Sequence, residues 1–301
     1  MLKVRYLIFF QYIGTNYSGL ARNGSKDSSK QGVLDILQEA IQKLTPIQIQ
    51  NLTSSCQTDA GVHALTNTVH VDVERRPHQR PFHPDTLVKS INNRLRSTDI
   101  RIIRAHRVPD TFHARHCAIR RDYLYRLALG CPSEDQMPVV ERDRCFGIQE
   151  FDLDIAKMQE AAGLFIGLKD FATFRNLRHD FKDLYTEREM YSVSIYHPAN
   201  HHGSLLWHPY DYRILHIEFS ARSYLYRQIR RLVGVLIDVG RGRLTPEDVD
   251  AMLQSRDNTN MRGTRPAPAS GLYLKDVIYD EKDLCVEETK RIEVEEVGLD
   301  R

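Results

Sequence analysis

Between Val4 and Val108 the hydrophobic pattern switches between strand and helix periods four times, and this order limits the fold more than any single residue does. A strand is predicted over 4–12 and a loop over 14–30. A helix follows over 32–44, with Val33, Leu37, Ala40 and Ile41 on one face. The stretch 66–73, alternating through Val69, Val71 and Val73, predicts a second strand. Leu87, Ile91 and Leu95 recur at helical spacing and predict a helix over 84–95, and a strand over 100–108 closes the series. Strand, helix, strand, helix, strand is an order of the ferredoxin-like type.

The second half reads similarly, with a strand over 122–129, a helix over 154–166, strands over 190–196 and 213–219, a long helix over 223–240 and another over 246–253. The expected fold class is therefore α/β in the mixed, α+β sense: two related ferredoxin-like units, mostly antiparallel sheets that adjoin, and an active-site cleft between them. The expected domains are 1–112, 113–279 and a tail, 280–301. No sequence repeat is visible, so the duplication rests on element order.

At 301 residues and 41% hydrophobic content, the chain can bury a sizeable core. Its longest apolar runs, 6–10 and 232–237, fall well short of the roughly 20 residues that cross a bilayer, so no membrane segment is expected. Strand-like sequence begins by Val4, so no secretory signal or Arg-rich presequence is expected either. Five cysteines without a CxxC pair suit a reducing, intracellular compartment and argue against a disulfide framework or a zinc ribbon. Neither His63 with His70 nor His201 with His202 has zinc-site spacing, so no metal is expected. His63 reads as a turn or packing residue.

Nine acidic against four basic residues from Asp280 to Arg301 give that tail a net charge of −5, so the formal +2 of the chain leaves +7 on the body. The tail reads as a solvated, poorly ordered end. Arginines cluster at Arg115, Arg120 and Arg121, at Arg222, Arg227, Arg230 and Arg231, and at Arg241 and Arg243. Such clusters suit a cleft lined for phosphate, although any one alone also suits a solvated face.

The most chemically pointed stretch is Ser54-Ser55-Cys56-Gln57-Thr58-Asp59-Ala60-Gly61-Val62-His63-Ala64. It sets one carboxylate, Asp59, in a tight polar turn at the rim of a strand, with Gly61 supplying the backbone freedom of a sharp entry. An acid there either caps the turn or serves as a nucleophile.

The run Thr58 to Ala64 resembles the signature of the TruA-type tRNA pseudouridine synthases. Three further blocks resemble that family in the same order: Phe112-His113-Ala114-Arg115-His116-Cys117-Ala118 leading into Arg121-Asp122-Tyr123-Leu124-Tyr125, then Ser223 to Gly234, then Ala267 to Leu274. The eukaryotic pseudouridine-synthase-like branch is the nearest likeness. The resemblance implies that Asp59 attacks the target uridine, Tyr123 is the active-site tyrosine and Arg230 the active-site arginine. It further implies that Gln57, Thr58, Arg115, Arg121, Arg227 and Leu272 contact substrate, with no cofactor or metal. Its members act on uridines of the tRNA anticodon arm, often as homodimers, and the branch is associated with mitochondria. This N-terminus leaves mitochondrial and cytoplasmic locations equally open.

Two positions depart from the pattern. Ser270 stands where a histidine is common, and Gln57 stands where the family has arginine immediately before Thr-Asp. That arginine is thought to engage phosphate and help extrude the base, work suited to a charged planar fork. Glutamine keeps a donor and loses the charge. The alternative to an active enzyme is therefore a weakly active or non-catalytic RNA-binding protein. In the long predicted helix, Leu225, Ile229, Leu232, Val233 and Leu236 form an apolar stripe, with Arg227 and Arg231 opposite and Arg230 at the edge.

Overall fold

A computed structural model describes residues 3–21, 30–44, 48–76, 78–131, 137–176, 185–198 and 213–285. His201, His202 and the tail beyond Cys285 lie outside the described residues, as does much of the predicted 14–30 loop. The chain divides into two units: residues up to 60 with 64–119 and 276 onward, and residues 61–63 with 120–275.

Unit one contains β1 (Lys3–Tyr12), α1 (Val33–Gln42), β2 (Ile49–Ser54), β3 (His63–Glu74), α2 (Pro84–Arg94) and β4 (Ile100–Val108). Its strands lie in the order β4-β1-β3-β2 and all pair antiparallel. This is the βαββαβ arrangement, completed by β2, which the sequence pattern does not reveal. Its Ile-Gln-Asn-Leu-Thr-Ser sequence alternates poorly and is broken by Asn51 at φ 54°. The core of β1, Tyr6 to Phe10, is buried throughout, which explains its continuous apolar run. Val33, Leu37 and Ile41 of α1 and Leu87 and Ile91 of α2 are buried, the faces their spacing predicts. Pro84 opens α2 at its first turn, where a missing N–H costs nothing.

A partly buried ion pair spans the β1–β3 pairing. Arg5 lies directly opposite Asp72 and holds its carboxylate with two bonds of 2.6 and 2.8 Å, while Asn51 donates a third at 2.7 Å. Burial opposes ionisation of Asp72, yet the Arg5 and Asn51 bonds outweigh it and hold its pKa down at about 2.

Unit two contains β5 (Ala118–Leu129), β6 (Phe146–Ile148), α3 (Ile155–Gly163), β7 (Gly167–Asp170), β8 (Glu187–Tyr196), β9 (Arg213–Ala221), α4 (Gln228–Gly240), α5 (Pro246–Ser255) and β10 (Leu272–Tyr279). From residue 276 the end of β10 and a short α6 (Glu281–Leu284) belong to unit one. The order β10-β5-β9-β8 repeats that of unit one, with β7 added beyond β8 and β6 running parallel to β5. The two units therefore share a strand order that leaves no trace as a sequence repeat.

Two expectations need correction here. The long helix begins at Gln228 rather than at 223, because Arg227 adopts a left-handed conformation, φ 58° and ψ 15°, and no helix propagates through it. Leu272, which the resemblance places against substrate, opens β10 and is buried. Helix α4 is also buried nearly all round, and Arg231 is half-buried. Its Nε donates to Asn176 Oδ1 at 2.7 Å and its Nη1 to the Thr173 carbonyl at 3.0 Å. Burial and the nearby Arg227 charge push the Arg231 pKa down.

Candidate active site

In unit one the Asp59 turn is held from both sides by groups distant in sequence. The Thr58 hydroxyl shares a 2.7 Å hydrogen bond with the buried Tyr12 hydroxyl, and the Thr58 carbonyl accepts from Leu20 N at 3.1 Å. Asn67, fully buried, donates to Tyr12 Oη and to the Cys56 carbonyl at 3.3 and 3.4 Å, and accepts from Ser55 Oγ and Thr68 N at 3.0 and 2.8 Å. The pairing of β1 with β3 shifts register between Phe10 and Tyr12, beside this network. Burial keeps the Tyr12 hydroxyl protonated far above the ordinary phenol range. The result is a rigid seat that leaves Asp59 half-exposed and Gln57 exposed.

Gly19 lets two backbones meet here. It sits at φ +105°, and a Cβ there would lie 2.7 Å from the Thr58 carbonyl oxygen. Gly61 takes φ +78°, the freedom expected of it. Tyr12, Gly19 and Asn67 were not singled out by sequence reading. Asn67 and Thr68 interrupt a valine strand, a faint sign that inward polar groups have work there.

The segment bearing Arg115 is anchored in unit one as well. Ala114 N donates to His70 Nδ1 at 3.1 Å, and Arg5 donates to the Phe112 carbonyl at 2.8 Å and also to that of Asp110. The rings of His70, His113 and His116 follow one another with centroids 4.8 and 4.2 Å apart. Arg115 itself is exposed. Burial first, then the charges of Arg5 and His113, lower the His70 pKa to about 4, against an opposing pull from Asp72.

His70 thus stays neutral in the fold while the unfolded chain takes up its proton near pH 6.5. Its contribution to stability is present above pH 6.5 and is lost as pH falls towards 4. Unfolding in urea should show a loss of about 2 kcal/mol from this group between pH 7.5 and 5. The His70→Asn variant should show a correspondingly smaller loss, and an identical pH slope in both proteins would remove His70 as the cause.

In unit two Tyr123 is buried on β5, with its ring edge-on to Tyr224 at 5.1 Å. The Tyr224 hydroxyl donates to the Arg121 carbonyl at 3.1 Å, and Arg121, itself buried, donates to the Arg222 carbonyl at 2.6 Å. Residues 121–123 are thereby fastened to 222–224, and Tyr224 becomes part of the tyrosine's setting. Arg227 lies over the Tyr226 ring at 5.1 Å. Arg230 exchanges two bonds with Ala267: its Nε donates to the Ala267 carbonyl at 2.7 Å, and Ala267 N donates to the Arg230 carbonyl at 2.8 Å. The buried Leu272 follows five residues on.

His63 is a packing residue with specific partners. Fully buried, it shares a 3.0 Å hydrogen bond with the Ser270 carbonyl and lies 4.6 Å from the Tyr273 ring. Among the described residues, no group of three or more His, Cys, Asp or Glu side chains is placed to hold a metal, and no helix is long and apolar enough to cross a membrane.

Unit one thus presents one aspartate on a hydrogen-bonded turn, and unit two fixes a tyrosine and an arginine through partners of its own. A model of the tRNA pseudouridine synthase family matches residues 161–280. The chain is 42% identical over 281 residues to human tRNA pseudouridine synthase-like 1, covering 92% of this chain and 91% of that protein. It is 39% identical over 298 residues to the Xenopus laevis protein of the same name, covering 96% and 97%. It is also 33% identical over 276 residues to tRNA pseudouridine synthase A of Caulobacter sp. (strain K31), covering 92% and 98%. The chain belongs to the tRNA pseudouridine synthase family.

Proposed function

We propose that this chain converts uridine to pseudouridine in tRNA, within the anticodon arm, using Asp59 as the nucleophile. The observation that carries this is the seat of Asp59: a half-exposed carboxylate on a turn locked by Tyr12, Asn67 and Leu20, in a chain of this family. The reaction breaks the C1′–N1 bond, turns the uracil and joins C5 to C1′. N1 gains a proton and C5 loses one, so no oxidant, reductant or energy source is consumed. An aspartate is an anion at neutral pH and can attack the sugar at C1′ or remove a proton from it. Tyr123 stacks on the extruded base and assists loss of the C5 proton, and Arg230 steadies the anion. Two copies of the chain serve one tRNA, a part of the proposal that a monomeric mass for the tRNA complex in light scattering would remove.

The test is tritium release from tRNA labelled at uridine C5, with wild-type and Asp59→Ala protein compared side by side. Release that requires Asp59 is the expected result; none from the wild type, with tight and salt-sensitive tRNA binding, would favour the non-catalytic alternative raised by Gln57. The substitution Gln57→Arg restores a charge at an exposed position beside the nucleophile. It should tighten tRNA binding and steepen its salt dependence by about one contact's worth, with kcat changed only modestly. Turnover that appears only in Gln57→Arg would instead make the native chain a binding protein.

A further inference from the structure

A cavity of about 440 Å³ lies at the C-terminal end of α4, within unit two, and none of the site residues above lines it. Its lining includes Arg241, Arg243 and Arg265, a single acid, Asp238, and the apolar surfaces of Phe146, Pro266 and Pro268. The acid is already engaged: Asp238 accepts from Thr264 Oγ1 at 2.9 Å and lies 3.8 and 3.5 Å from Arg241 and Arg243. Arg241 is engaged too, gripping Glu150 with bonds of 2.7 and 3.0 Å. Among the described residues, the Arg243 side chain makes a long contact of 3.5 Å to Asp238 and lends its charge to Glu150, and it is 66% exposed. Among the described residues, no carboxylate pairs with Arg265, which is also exposed.

Two guanidinium groups with spare donors therefore meet an aromatic ring and two prolines around a cavity of small-molecule size. Guanidinium forks match phosphate oxygens, and flat apolar walls match a base or a ribose. The cavity wall also touches the catalytic layout. Residues 265–268 lie so close on α4 that a Cβ at Gly234 would come within 2.2 Å of the Arg265 carbonyl oxygen, and Ala267 in this segment is the double partner of Arg230.

We propose that this cavity binds a nucleotide of the substrate RNA remote from the target uridine, with Arg243 and Arg265 on its phosphate and Phe146, Pro266 and Pro268 against its sugar and base. Occupancy braces the 265–268 segment and, through Ala267, Arg230. The proposal rests on RNA being the substrate. A free mononucleotide offers the same chemistry, so the test separates the two sources.

The experiment compares the full chain with Arg243→Glu/Arg265→Glu and Arg243→Lys/Arg265→Lys, measuring binding of unmodified tRNA across a salt series, KM and kcat, and binding of UMP. Each lost phosphate contact removes about 0.9 from the slope of log affinity on log salt. The glutamate pair should therefore bind about 50-fold more weakly at 0.1 M salt, with a slope shallower by about two. KM should rise with it and kcat fall far less, and the lysine pair should regain most of the affinity. Unchanged tRNA affinity and slope in the glutamate pair would overturn the proposal. So would UMP binding that the glutamate pair abolishes while tRNA binding stays intact, since the cavity would then serve a free nucleotide. Asp59-dependent tritium release, measured in parallel, reports on the isomerase activity separately, so loss of one conclusion is distinguishable from loss of the other.

Discussion

Replacing Asp59 by alanine should lower kcat by about four orders of magnitude or more, the scale on which removal of an essential nucleophile acts. The fold should survive this change. The turn is tied to its unit through the Thr58 hydroxyl on Tyr12, the Thr58 carbonyl on Leu20 N and the Asn67 bonds around Cys56 and Ser55, all of which remain in the variant. Truncation of a half-exposed side chain should cost about 0.5 kcal/mol or less by urea unfolding. Binding of tRNA should stay within about threefold, because phosphate contacts dominate affinity and a carboxylate makes none. Tritium release from Asp59→Ala above about a hundredth of the wild-type rate would exclude Asp59 as the nucleophile.

Gly19→Ala should produce the second largest effect, from a residue that carries no side chain. Its φ of +105° is strained for any L side chain, and the new methyl would meet the Thr58 carbonyl oxygen at 2.7 Å, Ala60 N at 3.1 Å and the Asp59 carbonyl carbon at 3.1 Å. All three are backbone atoms of the Asp59 turn, so no rotamer change relieves the clash. The turn must shift by several tenths of an ångström or more. The expected cost is about 2 to 4 kcal/mol in stability, combining backbone strain with overpacking. The expected fall in kcat is about 100-fold, the scale on which misplacement of a catalytic group by an ångström acts. Gly163→Ala is the matched control. It closes α3 with nothing within 4 Å of its added Cβ and should stabilise by up to about 1 kcal/mol with kcat unchanged. Wild-type kcat in Gly19→Ala would mean that the turn tolerates displacement and that its rigidity is not used.

Much of unit one is legible in the sequence because its elements carry their own periods. The 100–108 strand and the α1 and α2 faces follow from side-chain spacing alone, since a helix or strand with one wet face must repeat at 3.6 or 2 residues. The strands that escape notice, β2, β6, β7 and β10, are short, irregular or buried on both faces, so alternation is weak in them. The start of α4 was misplaced for a different reason. Ser223 to Arg227 has an acceptable helical pattern, and only the conformation of Arg227, a single backbone choice set by its surroundings, stops it.

The site divides along the same line. The sequence by itself singled out Asp59 and the sharp turn at Gly61, because a carboxylate on a tight turn is built from consecutive residues and leaves a local mark. It also put Tyr123 on a strand and Arg230 on a helix, at the edge of its apolar stripe, and these are the elements each occupies. Only the tertiary structure decided what holds these groups: Tyr12 and Asn67 beneath Thr58, Gly19 against its carbonyl, Tyr224 beside Tyr123 and Ala267 on Arg230. The tertiary structure likewise decided that Arg121 is buried on the Arg222 carbonyl and Arg231 half-buried on Asn176, whereas Arg243 stands open beside a cavity. An arginine reads the same in a sequence whether buried or wet. Its partners come from segments tens of residues away, and their meeting is fixed by strand register and helix packing, which no local period encodes.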